Sequence, residues 1–201
     1  MSNNAKTIGA VAVIGGGIAG VQSALDLADM GFLVYLIEKS PAIGGIMSML
    51  DKTFPTNDCS MCILSPKLVD CARHPNIKIM TCTEMTGIAG EPGNFSVSVH
   101  VTPRYVDIAK CTACGDCAEA CPISIPNEFE QKLTEKKAIY KYYAQAIPNA
   151  YIIDKVGYGK KKRCIECNKC VKVCKAGAIN HEEKPQDIEL AVGAVILAVG
   201  A

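Results

Sequence analysis

Two groups of cysteines carry the spacing of iron-sulfur ligands. Cys111, Cys114, Cys117 and Cys121, followed by Pro122, read C-x2-C-x2-C-x3-C-P, and Cys164, Cys167, Cys170 and Cys174 repeat the pattern with Lys175 in the proline's place. Three thiolates on one short loop wrap three corners of a four-iron cubane, while the fourth, a helical step beyond, points away and reaches the other cluster. The spacing therefore assigns Cys111, Cys114, Cys117 and Cys174 to one [4Fe-4S] cluster, and Cys164, Cys167, Cys170 and Cys121 to the other. Zinc knuckles share the C-x2-C unit, but zinc sites rarely run x2, x2 and x3 in succession, and here the run is doubled.

A second chemistry stands near the start, in VAVIGGGIAG. Gly15, Gly17 and Gly20 form G-x-G-x-x-G where an apolar run gives way to residues at helical spacing. Glycines there permit a tight turn, close approach of a pyrophosphate, and close packing of the helix on the strand. Glu38, with Lys39 beside it, ends the next β-rich run about 20 residues on, where an acid binds a ribose hydroxyl. Gly44 and Gly45 follow shortly after, a pairing that resembles the flavoproteins with two dinucleotide domains and favours FAD over NAD.

Four cysteines remain. Cys59 and Cys62 stand two apart ahead of a helix expected to begin with Ser65 as cap and Pro66 in its first turn. For this pair a third cluster or metal site and a redox-active thiol near the flavin are both open, since a helix N-terminus lowers a thiol pKa. Cys71, on that helix, and Cys82, at the end of the next strand, read as buried and inert. His100 lies on the polar face of a strand, and His74 and His181 in loops, so no histidine-based catalytic set is read.

The elements that must position these residues follow from periodicity. Ile8–Ile14, the helix after Gly17 and the run through Glu38 read as strand, helix, strand. Met47–Asn57 reads as loop and NIKIMTC as a further strand. FSVSVHV alternates strictly, with Phe95, Val97, Val99 and Val101 on one face, so it is half of a hairpin. IELAVGAVILAVGA returns to a buried-strand pattern, and GAVILAVG is similar to the strand with which such flavoproteins close the first half of their FAD domain, with Val199 where threonine is usual. The sheet thus begins before the cysteine groups and resumes after them.

The predicted architecture is an α/β Rossmann-like FAD-binding domain, the first half with its parallel sheet, carrying an inserted α+β ferredoxin-like domain for two [4Fe-4S] clusters. Residues 1–104 and 185–201 belong to the first, and residues 105–184 to the insertion. The 42 residues between Cys121 and Cys164 exceed what a minimal ferredoxin needs, so they are expected to form an extra lobe whose four tyrosines pack or meet a partner.

Composition bounds the function. With 201 residues, 49% of them apolar and 20% charged, a packed globular protein is expected. A net charge of +1 supplies no field for nucleic acid or an anionic membrane. The local run GKKKRC, with Lys136, Lys137 and Lys141, is a solvated loop or a docking patch for an acidic redox partner. The longest apolar runs fall short of the roughly 20 residues of a membrane span. Twelve cysteines in 201 residues stay under the roughly 8–10% of disulfide scaffolds, and closely spaced thiols read as metal ligands in the reducing cytoplasm, where the protein is placed.

Longer strings carry a more specific resemblance. LDKTFPTNDCSMCILSPKLV, RHPNI, PRYVD, CTACGDCAEACP, IPNEFE, KAIY and IPNAYIID, with the second cysteine group, resemble the A-subunit family of heterodisulfide reductase over nearly the whole chain. The resemblance implies an oxidoreductase component of anaerobic energy metabolism, including methanogenesis, whose ferredoxin domain passes electrons to or from FAD. It implies as partners the other subunits of a heterodisulfide-reductase-like complex, a donor of the hydrogenase or formate dehydrogenase type, and ferredoxin, with a disulfide such as CoM-S-S-CoB as acceptor. Ile46 stands where an arginine often follows the paired glycines. Measured against the family, the chain reads as a truncated or split form. The rival expectation is a flavin-free ferredoxin-type carrier or docking module.

Overall fold

The computed structural model describes residues 7–155 and 163–200. The chain divides into two compact units, Met1–Thr102 with Pro185–Ala201, and Pro103–Lys184. In the first run come β1 (Ala10–Ile14), α1 (Ile18–Asp29), β2 (Leu33–Ile37), a 3-10 turn at Gly45–Met49, α2 (Ser60–Arg73), β3 (Ile77–Met80), β4 (Thr83–Glu91) and β5 (Asn94–Val101). The second unit holds α3 (Asp116–Glu119), β6 (Ser124–Pro126), β7 (Glu135–Lys137), β8 (Ile139–Tyr140), β9 (Ile152–Ile153) and α4 (Lys169–Val173). The return supplies β10 (Gln186–Val192) and β11 (Ala194–Leu197).

In the first unit a parallel sheet runs in the order β11-β1-β2-β3. All five residues of β1 are buried, as a central parallel strand covered on both faces requires. Ala10, Ala12 and Ile14 point to one face, where they join Val97, Val99, Leu190 and Val192 of the antiparallel sheet β10-β5-β4. Helices α1 and α2 pack against the strands as well, with Val21, Ala24, Leu64 and Leu68 fully buried. Burying side chains of this size contributes about 1.5–3 kcal/mol each, which fixes the strand ends that carry the site. β4 and β5 form the predicted hairpin, with Val97 and Val99 on its buried face.

Several expectations are corrected. The closing apolar run is two strands: β10 completes the antiparallel sheet against β5, and β11 joins β1 in the parallel one. Gly193 divides them, donating to Ala10 O at 2.8 Å and accepting from Gly93 N–H at 3.0 Å, so two sheets compete for one apolar segment and share it. The second helix begins at Ser60 with Cys59 as its cap, and Pro66 lies inside it. Burial of Ser60, Leu64, Leu68 and Cys71 along one stripe outweighs the missing proline N–H. Part of the expected loop 47–57 is the 3-10 turn, and Cys82 lies beyond the end of β3 with φ 54°.

In the second unit, β6 pairs with β7 and β8 with β9, both antiparallel. Its core holds Val106, Ile139, Ile153 and Ala178 together with Cys117, Cys121 and Cys170. The expected extra lobe includes the β6-β7 hairpin, with the Phe129 ring stacked on Tyr143 at 5.3 Å and Tyr142 edge-on to Phe129 at 5.2 Å. Of the basic run GKKKRC, Gly159 to Lys162 lie outside the described residues.

Candidate cofactor and metal sites

The glycine turn sits at the C-terminal end of β1. Gly15 has φ 109°, and a Cβ there would collide with the Ala198 carbonyl, while a Cβ on Gly20 would collide with the carbonyl of Gly15. These two positions make the turn tight and bring α1 onto it. Gly17 differs, since a Cβ there would meet nothing nearer than Gly45 Cα at 4.0 Å. That leaves a cradle over the first turn of α1, whose Gly17 cap makes no side-chain hydrogen bond to the helix. Open N–H groups at a helix start suit an anion. Gly44 N–H donates to Gly16 O at 2.7 Å, so the paired glycines lie beside the turn.

Glu38, 8% exposed, reaches back to this turn. Its Oε2 accepts from Gly16 N–H and its Oε1 from Ser40 N–H, both at 2.7 Å. An ionised carboxylate has about four lone-pair positions, so capacity remains for hydroxyl donors. Lys39 is exposed. The predicted set Gly15, Gly17, Gly20, Glu38, Gly44 and Gly45 is thus gathered at one end of the parallel sheet, and its shape fits a dinucleotide.

The eight motif cysteines line two cavities. One is bordered by Cys111, Cys114, Cys117 and Cys174, the other by Cys121, Cys164, Cys167 and Cys170. Each draws its fourth thiol from the other motif. The two loops share their backbone: Ala113 (φ 56°) and Gly115 (φ 100°) in the first correspond to Glu166 (φ 54°) and Asn168 (φ 57°) in the second. Left-handed residues at these positions wind the loop so that main-chain donors meet sulfur. Glu166 N–H donates to Cys164 Sγ and Ala178 N–H to Cys174 Sγ, each at 3.4 Å.

Burial, with Cys111 and Cys114 adding, pushes the Cys117 thiol up to about 12. Burial likewise raises Cys164 and Cys170. A bound cation would oppose these shifts by stabilising the thiolates. Among the described residues no three metal-ligating side chains close in on a single-ion position, and the donors instead surround cavities, as a four-iron cubane needs.

Sequence reasoning missed the residues that support the two cavities. Arg104, 4% exposed, donates from Nε to Tyr151 O at 3.0 Å and through a terminal nitrogen to Ala150 O at 3.3 Å, fixing the residues just ahead of β9, of which Tyr151 borders the first cavity. His181 borders the second, its Nε2 3.6 Å from Cys170 Sγ. Lys155 holds His181 by donating to its carbonyl at 2.7 Å and pairs with Glu166 at 3.4 Å. Burial, then Lys155, lowers the His181 pKa against the opposing pull of Glu166. No periodicity marks His181, which lies 11 residues beyond Cys170 in a turn.

Cys59 and Cys62 form a disulfide at the start of α2, and Cys62 N–H donates to Cys59 Sγ at 3.2 Å. In this state neither is a free thiol. Cys71 and Cys82 are buried and lie outside the disulfide, and burial pushes the Cys71 thiol up to about 11, which keeps it protonated and inert.

Comparison with known proteins agrees with both sites. The FAD dependent oxidoreductase family matches residues 10–58, and the 4Fe-4S dicluster domain family matches residues 110–179. FAD and [4Fe-4S] clusters are accordingly the cofactors of this chain. It is 52% identical over 188 residues to the iron-sulfur A subunit of the CoB–CoM heterodisulfide reductase of Methanocaldococcus jannaschii. It is 50% identical over 188 residues to the A subunit of the H2:CoB-CoM heterodisulfide,ferredoxin reductase of Methanothermobacter marburgensis. Each match takes in 94% of this chain and 28% of the relative, so the chain spans under a third of their length.

Proposed function

Because the chain belongs, over the stretch compared, to the A-subunit family of heterodisulfide reductase, we propose that it is the part of such a complex that passes electrons between FAD and two [4Fe-4S] clusters. The reading rests above all on the two cavities, each bordered by four cysteines drawn three from one motif and one from the other. On this reading Pro103–Lys184 is a ferredoxin-like domain inserted into the FAD-binding domain. FAD exchanges one or two electrons and each cluster carries one.

The chain's own residues bind and orient. Gly17 leaves room for a pyrophosphate, and the start of α1 supplies N–H donors to it. Glu38 accepts ribose hydroxyls while its two main-chain donors keep it from turning away. A carboxylate at that place also disfavours a ribose phosphate. In the second unit Cys111, Cys114, Cys117 and Cys174 hold one cluster, and Cys121, Cys164, Cys167 and Cys170 the other. Arg163 reaches Glu128 at 2.7 Å and Asp154 at 2.6 Å beside Cys164, closing the lobe against the second motif. Partner subunits, a hydrogenase- or formate-dehydrogenase-type donor, ferredoxin and a disulfide acceptor complete the proposal, in the cytoplasm of an anaerobe.

The test is flavin and iron content per chain after anaerobic purification. One FAD and about eight irons, as two four-iron clusters require, with low-potential EPR signals on reduction, support the reading. Iron without flavin would make the chain an electron carrier only, and absence of the EPR signals would end the proposal.

A further inference from the structure

We propose that His181 raises the reduction potential of the cluster held by Cys121, Cys164, Cys167 and Cys170, by donating an Nε2–H hydrogen bond to the Sγ of Cys170, so that the two clusters of this unit differ in potential. The inference rests on the cluster assignment above and adds a residue outside both cysteine motifs.

The two ring nitrogens meet different surroundings. Nε2 lies 3.6 Å from Cys170 Sγ, a hydrogen-bonding distance for the large sulfur atom. Nδ1 is buried and has no hydrogen-bond partner among the described residues. A buried N–H without an acceptor is the rarer and costlier orphan. The proton therefore belongs on Nε2, where it meets the thiolate; the other tautomer would strand a donor and turn a lone pair towards sulfur. Lys155 keeps this arrangement in place, because it holds the His181 carbonyl and the Glu166 carboxylate, and Glu166 lies between Cys164 and Cys167.

A hydrogen bond to a ligand sulfur stabilises the more negative, reduced cluster and so raises its potential. The first cavity repeats the loop backbone with a phenol, a different kind of donor, in place of the imidazole. Its bordering ring is Tyr151, and no imidazole is among its lining residues. The asymmetry is thus one of side chains on matched main chains.

The experiment is an EPR-monitored redox titration of anaerobically purified protein with both clusters loaded. His181→Leu removes the donor and keeps an apolar filler; His181→Gln returns an N–H. In the leucine variant one of the two midpoints is expected to fall by an equilibrium factor of about ten, about 59 mV for one electron. The other midpoint stays, and glutamine recovers part of the loss. Two unmoved midpoints, or two that move equally, would overturn the inference. Should the leucine variant load only one cluster, the wild type decides. Hyperfine coupling from 15N-histidine to one reduced cluster is expected, and its absence overturns the proposal. Protein without clusters would instead refute the function proposed above, so the two failures are distinct.

Discussion

Glu38 serves two ends with one carboxylate. It ties the glycine turn to the end of β2 through Gly16 and Ser40, and on the proposed reading it offers its remaining lone pairs to a ribose. Glu38→Gln puts an amide N–H against one of those main-chain donors, leaving it without an acceptor at a cost of about 1–3 kcal/mol. Flavin affinity is expected to drop about tenfold or more with iron content unchanged. FAD titration of the deflavinated protein checks this, and equal affinities would remove Glu38 from the site. At this scale the sequence was informative where spacing is itself the chemistry. Glycines that must avoid a Cβ and cysteines that border one cavity announce themselves. His181 did not, because its position depends on a chain reversal after Cys174 that no local pattern encodes.

Among the elements, α2 shows where local rules mislead. Proline favours a first turn, yet Pro66 lies mid-helix because four buried residues on one stripe hold the segment helical from Ser60. Replacing it by alanine restores an N–H donor worth up to about 3 kcal/mol, less about 0.4–1 kcal/mol for the freer unfolded chain. Labelling of the buried Cys71 thiol on that helix, followed by mass spectrometry, is expected to slow about tenfold or more in Pro66→Ala. An unchanged rate would mean that the helix already bends around the ring without loss.

The lobe ahead of the second motif makes a prediction in acid. Burial opposes charge on Glu128, but Lys136 and Arg163 outweigh it and hold the carboxyl at about 2. A depressed carboxyl stabilises the fold fully above its ordinary value of 4.5 and loses that contribution as pH falls towards about 2. Tyrosine fluorescence from the ring cluster beside it is expected to show Glu128→Gln weaker than wild type at neutral pH, with the difference shrinking below about pH 4.5. A difference that grows in acid would contradict the sign.

For the whole molecule, single substitutions test the proposed cross-ligation. Cys174→Ala is expected to remove the cluster of Cys111, Cys114 and Cys117, reducing iron from about eight to about four per chain. Adding Cys111→Ala then costs no further iron, whereas adding Cys164→Ala removes the rest. The reverse pattern would mean that each motif ligates its own cluster. The resumption of the parallel sheet was legible because the apolar strand pattern returns after Lys184. The division of that pattern between two sheets was not, since period-two alternation and a continuous buried run merge at Gly193.

The parallel pairing of β11 with β1 joins Ala194–Leu197 to Val11–Ile14, and the Gly15 turn rests on Ala198. On the ribosome these partners emerge far apart in time, roughly ten to forty seconds at about 5–20 residues per second. Until then β1 is a bare edge and the cradle for the dinucleotide lacks its floor, while every cysteine of both motifs is already outside. On the proposed reading, the cysteines of both motifs are therefore available to metal before the cradle for the dinucleotide is complete. Nascent chains stalled with Lys184 exposed are expected to hold iron and no FAD, and flavin on such chains would show that the last strand is dispensable for binding it.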